Sequence, residues 1–252
     1  MQIFNYTGCL QPQKATVLML AGGMTSPAVF DEVAKNLPIQ CAQIDWLGSP
    51  GPWDVVSVGK RLYQFILAKD LGPTLLIGYS ASGPICMQAA IEDTHGRIVG
   101  LAINNTGLNT ANHGDPNAPQ KILDNWGDIA YHQQFLDRCF AFPISHDLNT
   151  SLLQYILKMD KQAAYEASYQ LRQIDLLPQA HRINCPVLIT HGILDKARSV
   201  EHALIMKEAL PNSSLYFLHG GHTIFIEAKK EYLFLLDAFL RELNLIPIGF
   251  CI

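Results

Sequence analysis

The stretch Leu75-Leu-Ile-Gly-Tyr-Ser-Ala-Ser-Gly83 constrains the fold more than any other, because an apolar, strand-like run stops there and a helix-like run begins. Ser80 stands at the break. Around it the chain reads Gly78-x-Ser80-x-Ser82-Gly83, one residue away from the G-x-S-x-G pattern of a nucleophile elbow. A sharp strand-to-helix turn leaves space only for small side chains two residues before and two residues after the serine. Such a turn exposes the Ser80 hydroxyl and aims the next backbone N–H, that of Ala81, at negative charge developing on a bound carbonyl oxygen. Ser82 in place of the second glycine is small enough for the turn, but it removes some of its freedom and leaves a hydroxyl near Ser80.

On both sides of that turn, short apolar segments alternate with longer ones of helical spacing. Thr16-Val-Leu-Met-Leu-Ala21 predicts a buried strand closed by Gly22-Gly23. Pro27 to Leu37 predicts a helix, with Val29, Phe30, Val33, Ala34 and Leu37 on one face. Cys41 to Asp45 is a second strand candidate ahead of the breaker-rich Gly48-Ser-Pro-Gly-Pro52, and helical spacing then runs from Val55 to Leu71. Pro73 to Gly78 leads into the serine turn, and Pro84 to Glu92 follows as a helix whose proline is tolerable in the first turn. Ile98 to Ile103 is the next strand. The alternation resumes with a strand at Cys185 to Gly192, a helix at Val200 to Leu210, a strand at Ser214 to Leu218 and a closing helix at Lys230 to Leu243. Strands alternating with helices predict an α/β fold, a mostly parallel sheet with helices on both faces.

Between Asn104 and about His181 no strand is visible, and Trp126, Tyr131, Phe135, Phe140, Phe142, Tyr155, Tyr165 and Tyr169 concentrate there. This predicts a helical cap inserted over residues 108–181, with residues 1–107 and 182–252 as the core. At 252 residues and 49% hydrophobic content, one large domain is expected rather than two independent ones.

Charged residues make up only 16%, and 22 acids against 18 Lys and Arg give a formal net charge of −4. That balance offers no footprint for nucleic acid or an anionic membrane, so the expected partner is a small neutral or apolar molecule. No apolar run reaches the roughly 18 residues of a membrane span, and the N-terminus lacks the order of a signal peptide. A cytoplasmic protein is expected. The six cysteines (Cys9, Cys41, Cys86, Cys139, Cys185 and Cys251) show no C-x-x-C pair and read as free thiols. The apolar tail Leu245 to Ile252 carries its cysteine second from last, which is not a prenylation signal. It is expected to pack on the body or on a partner subunit, which leaves a homodimer open.

A serine hydroxyl is a poor nucleophile at neutral pH, so chemistry at Ser80 needs a base within hydrogen-bond reach and a carboxylate to orient that base. Downstream, His191-Gly-Ile-Leu-Asp195 places an aspartate after a buried strand, and Gly220-Gly-His222 places a histidine in a glycine turn between strand and helix. Both lie where open α/β sheets build their sites, at the carboxyl ends of strands. Asp195 is also a plausible turn or helix cap. His219 rivals His222, and the two make a His-x-x-His pair that lacks the third ligand a metal site needs. His191 reads as structural, and Asp45, after a strand, reads as a loop stabiliser near the mouth of the site.

Together the Ser80 turn, the Pro186 to Asp195 segment and the Gly221-His222 turn resemble the α/β-hydrolase superfamily, in its order and spacing and over nearly the whole chain. The resemblance implies that Ser80 is the nucleophile, His222 the general base and then acid, and Asp195 the orienting acid. It implies an oxyanion hole from the backbone N–H groups of Gly23 and Ala81, with Met24 as the rival donor to Gly23. Ala21 stands where many relatives carry histidine, which changes how that loop is hydrogen-bonded. Met24 and Tyr79 are the side chains best placed to touch a substrate. The implied activity is hydrolysis of a carboxylic ester, thioester or lactone of a small apolar substrate through an acyl-serine intermediate, with no cofactor and no metal. The same triad also serves carbon–carbon bond hydrolysis or lyase chemistry, and the same fold serves catalytically slow ligand-binding proteins.

Overall fold

A computed structural model describes residues 4–111 and 113–247. Most of the apolar tail, with Cys251, lies outside the described residues. In chain order the elements of the first half are β1 (Asn5–Gly8), β2 (Thr16–Leu20), a 3₁₀ turn at Pro27–Phe30 running into α1 (Asp31–Asn36), β3 (Gln40–Asp45), α2 (Val55–Ala68), β4 (Thr74–Tyr79), α3 (Ser82–Glu92) and β5 (Ile98–Asn104). Four helices follow: α4 (Ala118–Asp124), α5 (Ile129–Cys139), α6 (His146–Lys158) and α7 (Lys161–Leu171). After a 3₁₀ turn at Leu177–Arg182 come β6 (Val187–Gly192), α8 (Glu201–Ala209), β7 (Ser213–Leu218), α9 (Ile224–Glu227) and α10 (Lys229–Glu242).

Among the described residues the strands form one seven-stranded sheet in the order β1-β3-β2-β4-β5-β6-β7, parallel throughout except for β1. The strands β2, β4 and β6 are buried along their whole length, which is why their sequences are continuous apolar runs rather than alternating ones. Strand β1 had no sequence signal. Its residues Asn-Tyr-Thr-Gly are largely exposed and become a strand only by pairing antiparallel to β3 at the sheet edge.

Helix α2 stops at Ala68, three residues short of the predicted Leu71, because Asp70 turns left-handed at φ +48°. The N–H groups of Asp70 and Leu71 then close back on the carbonyls of Leu67 and Ile66, a Schellman ending built on aspartate instead of glycine. In α5, α6 and α7, side chains fix the helix starts. Asp128, Ser145 and Asp160 accept from the first-turn N–H groups of α5, α6 and α7. The end of α6 is tied to the sheet by Tyr155, whose hydroxyl donates to Asp45. Asp45 also accepts from the Gly48 N–H at 3.0 Å, holding the loop after β3.

Candidate active site

The chain leaves β4 at Tyr79 and turns at Ser80 with φ +55°, a left-handed conformation that a residue with a side chain holds only when its surroundings enforce it. Here the Ser80 N–H donates to the Asn104 carbonyl at 3.0 Å, and the Gly83 N–H donates to the Ser80 carbonyl at 3.1 Å. A Cβ on Gly78 would lie 3.0 Å from the Gly83 Cα, and one on Gly83 would lie 2.2 Å from the Thr106 Cγ2. The turn therefore needs glycine at both positions. Ser82 is different: its hydroxyl is buried and occupied, donating to the Leu20 carbonyl at 2.6 Å and accepting the Tyr79 N–H at 2.9 Å.

His222 stands in the glycine turn after β7. Its Nε2 lies 2.8 Å from Ser80 Oγ and its Nδ1 2.7 Å from Asp195 Oδ2. A carboxylate can only accept, so Nδ1 carries the proton and Nε2 is left to accept from the serine hydroxyl. The Asp195 side chain is 1% exposed. Its Oδ1 accepts the N–H groups of Ala197 (2.7 Å) and Arg198 (2.9 Å), capping its own turn, while Oδ2 faces His222 and Asn105. Burial pushes this carboxyl up, but the hydrogen bonds from His222, Asn105 and Ala197 outweigh it and hold the group below the usual carboxylate range. Both roles open to Asp195 from sequence, cap and orienting acid, are compatible with this geometry.

Asn105 escaped the sequence reading. Placed one residue past β5 with φ +49°, it donates from Nδ2 to Asp195 Oδ2 at 2.8 Å and to the Gly221 carbonyl at 3.2 Å, linking the two loops that carry the relay. The polar pair Asn104-Asn105 at the end of an apolar strand was the available signal.

Ser80 and His222 open onto a cavity of about 300 Å³, whose lining includes Gly23, Met24, Tyr79 and Ala81. Asp195 lies behind the imidazole. The loop after β2 approaches the serine turn closely: a Cβ on Gly22 would lie 3.1 Å from Ser80 Cβ, and one on Gly23 3.5 Å from Ala81 Cβ. Ala21 takes part through its backbone, accepting from Trp46 Nε1 at 2.9 Å, and Met24 turns left-handed at φ +54°. The Tyr79 ring is 1% exposed and sits 5.1 Å from the His222 ring, its hydroxyl 2.9 Å from Thr223 Oγ1. Tyr79 thus braces the histidine turn as well as lining the cavity. His219 is exposed and packs against Phe142. His191 is buried, with Nε2 3.1 Å from the Arg198 carbonyl, and burial pushes its pKa down.

No protein-family model matches the chain, and no curated protein matches it by sequence. Solved structures do match. An esterase from Exiguobacterium antarcticum superposes with a TM-score of 0.85 at 18% identity, over 94% of this chain and 95% of that one. A bromoperoxidase from Bacillus anthracis gives 0.81 at 18%, over 94% of each chain. An enol-lactonase from Burkholderia xenovorans LB400 gives 0.78 at 16%, over 94% of this chain and 96% of that one. These are α/β-hydrolase folds, and the seven-stranded, mostly parallel sheet found here has the same architecture. The chain has the α/β-hydrolase fold.

Proposed function

We propose that this protein is a serine hydrolase that cleaves a carboxylic ester, thioester or lactone through an acyl-serine intermediate. The observation that carries the reading is the continuous hydrogen-bonded relay from Ser80 Oγ through His222 to Asp195, 2.8 Å and 2.7 Å long, at the wall of a cavity of about 300 Å³. In this mechanism Ser80 Oγ attacks the substrate carbonyl carbon while His222 Nε2 takes the hydroxyl proton. The oxyanion that forms is held by the N–H groups of Gly23 and Ala81. His222 then gives its proton to the departing alcohol, thiol or ring oxygen, and a water activated by the same imidazole releases the acid from Ser80. Asp195 stays ionised and stabilises the imidazolium. The likeness to structures described as an esterase and an enol-lactonase is in line with this chemistry.

A fluorophosphonate probe tests the reading. Mass spectrometry is expected to find one covalent adduct, on the peptide carrying Ser80, and none in Ser80→Ala. A folded wild type that stays unlabelled and turns over no p-nitrophenyl ester overturns it.

A further inference from the structure

We propose that the molecule cleaved at Ser80 carries a second, anionic group, a carboxylate, that the buried guanidinium of Arg198 binds within the same cavity. This rests on the serine-hydrolase reading above. The cavity lining contains Arg138, Arg172, Lys196 and Arg198, and Asp115 is the carboxylate on it. Asp115 is already paired with Lys121 at 2.7 Å, and among the described residues none of the four cations makes an ion pair. Arg138 and Lys196 are exposed, so water solvates their charge. Arg172 uses Nε and Nη1 on the protein, with Nε on the Asp115 carbonyl at 3.0 Å and Nη1 on the carbonyl and hydroxyl of Ser168.

Arg198 is unlike the others. It is 3% exposed, and its Nε and Nη1 are buried with no hydrogen-bond partner. Holding a guanidinium out of water with its donors unspent costs several kcal/mol unless a partner satisfies it. Burial pushes its pKa down to about 10, with the charge of Arg172 acting in the same sense and that of Asp195 opposing, which leaves it charged at neutral pH.

The charge of Asp195 offsets part of this cost, but it leaves Nε and Nη1 of the guanidinium without a hydrogen-bond partner. That carboxylate takes its hydrogen bonds from His222, Asn105 and two backbone N–H groups, one of them Arg198's own, and none from the guanidinium. A planar fork of donors matches a carboxylate, which accepts two parallel N–H bonds. Because Arg198 N–H is bonded to the residue that orients His222, the anion site is held in fixed relation to the nucleophile. The substrate class is therefore a short half-ester, or a lactone or thioester, bearing a free carboxylate a few carbons from the scissile carbonyl.

The test compares p-nitrophenyl half-esters of malonic to adipic acids with the same compounds methylated on the free carboxylate, reading p-nitrophenolate release. At one chain length, kcat/KM for the free acid is expected to exceed that for its methyl ester by about tenfold or more, the lower end of what a hydrogen bond to a charged group contributes. In Arg198→Met the ratio is expected to collapse toward one, and in Arg198→Lys to fall between the two. Calorimetry of free glutarate binding to Ser80→Ala reads the anion site without catalysis and without touching Arg198. Equal or faster turnover of the methylated series at every length, or no saturable glutarate binding, overturns the anion site even while Ser80 labels. Failure of Ser80 to label overturns the hydrolase reading instead.

Discussion

Ser82 is a case where one atom changes what a position does. The second small residue of a serine turn is read from sequence as a concession to space, and a hydroxyl there looks like a liability beside Ser80. In the fold that hydroxyl joins the ends of β2 and β4, since it bonds the Leu20 carbonyl and the Tyr79 N–H, two buried backbone groups with strict needs. Ser82→Ala is expected to lower the unfolding free energy by about 2 kcal/mol, the cost of leaving such groups unpaired. Ser82→Gly, although closer to G-x-S-x-G, is expected to lose roughly a further 0.5–1 kcal/mol through chain entropy in α3. Urea unfolding of the three proteins checks the order. Asn105 makes the complementary argument for the relay. Glycine tolerates φ +49°, so Asn105→Gly removes the bond to Asp195 without backbone strain. A fall in kcat of about tenfold or more is expected, with KM little changed because Asn105 is not part of the cavity lining. Steady-state kinetics on one ester separates the two parameters.

At the scale of elements, the helical segment over the cavity is bonded to the loop that carries the histidine. The Thr223 N–H and hydroxyl both donate to the Cys139 carbonyl at the end of α5 (3.1 and 3.0 Å). Glu227, at the end of α9, accepts the N–H groups of Ala141 (2.6 Å) and Phe142 (2.8 Å) on one oxygen and of Gly221 (2.7 Å) on the other. One carboxylate thus fixes the exit of α5 and the residue before His222 together. Glutamine has a single acceptor oxygen, so Glu227→Gln leaves one side facing an amide NH₂. Faster hydrogen exchange at Ala141, Phe142 or Gly221, with kcat/KM lower by about tenfold, is expected; unchanged exchange at all three would sink the coupling. These links also mark where sequence reading stops. Buried parallel strands advertise themselves as apolar runs, and Ser80, Asp195 and His222 lie at strand ends where breakers flank them. Glu227 and the four-residue α9 have no period or motif, and Asn105 shows only as half of a polar pair ending an apolar strand, because their roles exist only between segments that meet in space. Strand β1 was invisible for the same reason: its pairing partner, not its own pattern, makes it a strand.

Over the whole molecule, charge is sorted by place: a chain of net charge −4 lines its cavity with Arg138, Arg172, Lys196 and Arg198. Net charge averages over the whole chain, whereas the cavity samples a few side chains from α5, the end of α7 and the loop after β6. This sorting has a cost at low pH. His113 lines the same cavity, and burial first, then the charges of Arg198, His202 and Arg172, push its pKa from 6.5 down to about 3. The unfolded chain binds that proton near pH 6.5 while the folded one refuses it until about pH 3, so the folded state loses stability progressively as pH falls through that window. Above pH 6.5 the contribution is complete. Asp195, whose carboxyl is held below 3.8, acts in the same sense but lower: its contribution is present above about 3.8 and is lost as pH drops through its folded value. The two windows separate experimentally. Urea unfolding of wild type is expected to weaken steadily from pH 6.5 to 4.5, whereas His113→Gln, which cannot take up a proton at that position, is expected to weaken less over that range, the remainder coming from His132, His191 and His202, whose pKa values burial also pushes down. A variant that tracks wild type throughout would mean that His113 is protonated alike in both states and that the cavity's positive field does not reach it.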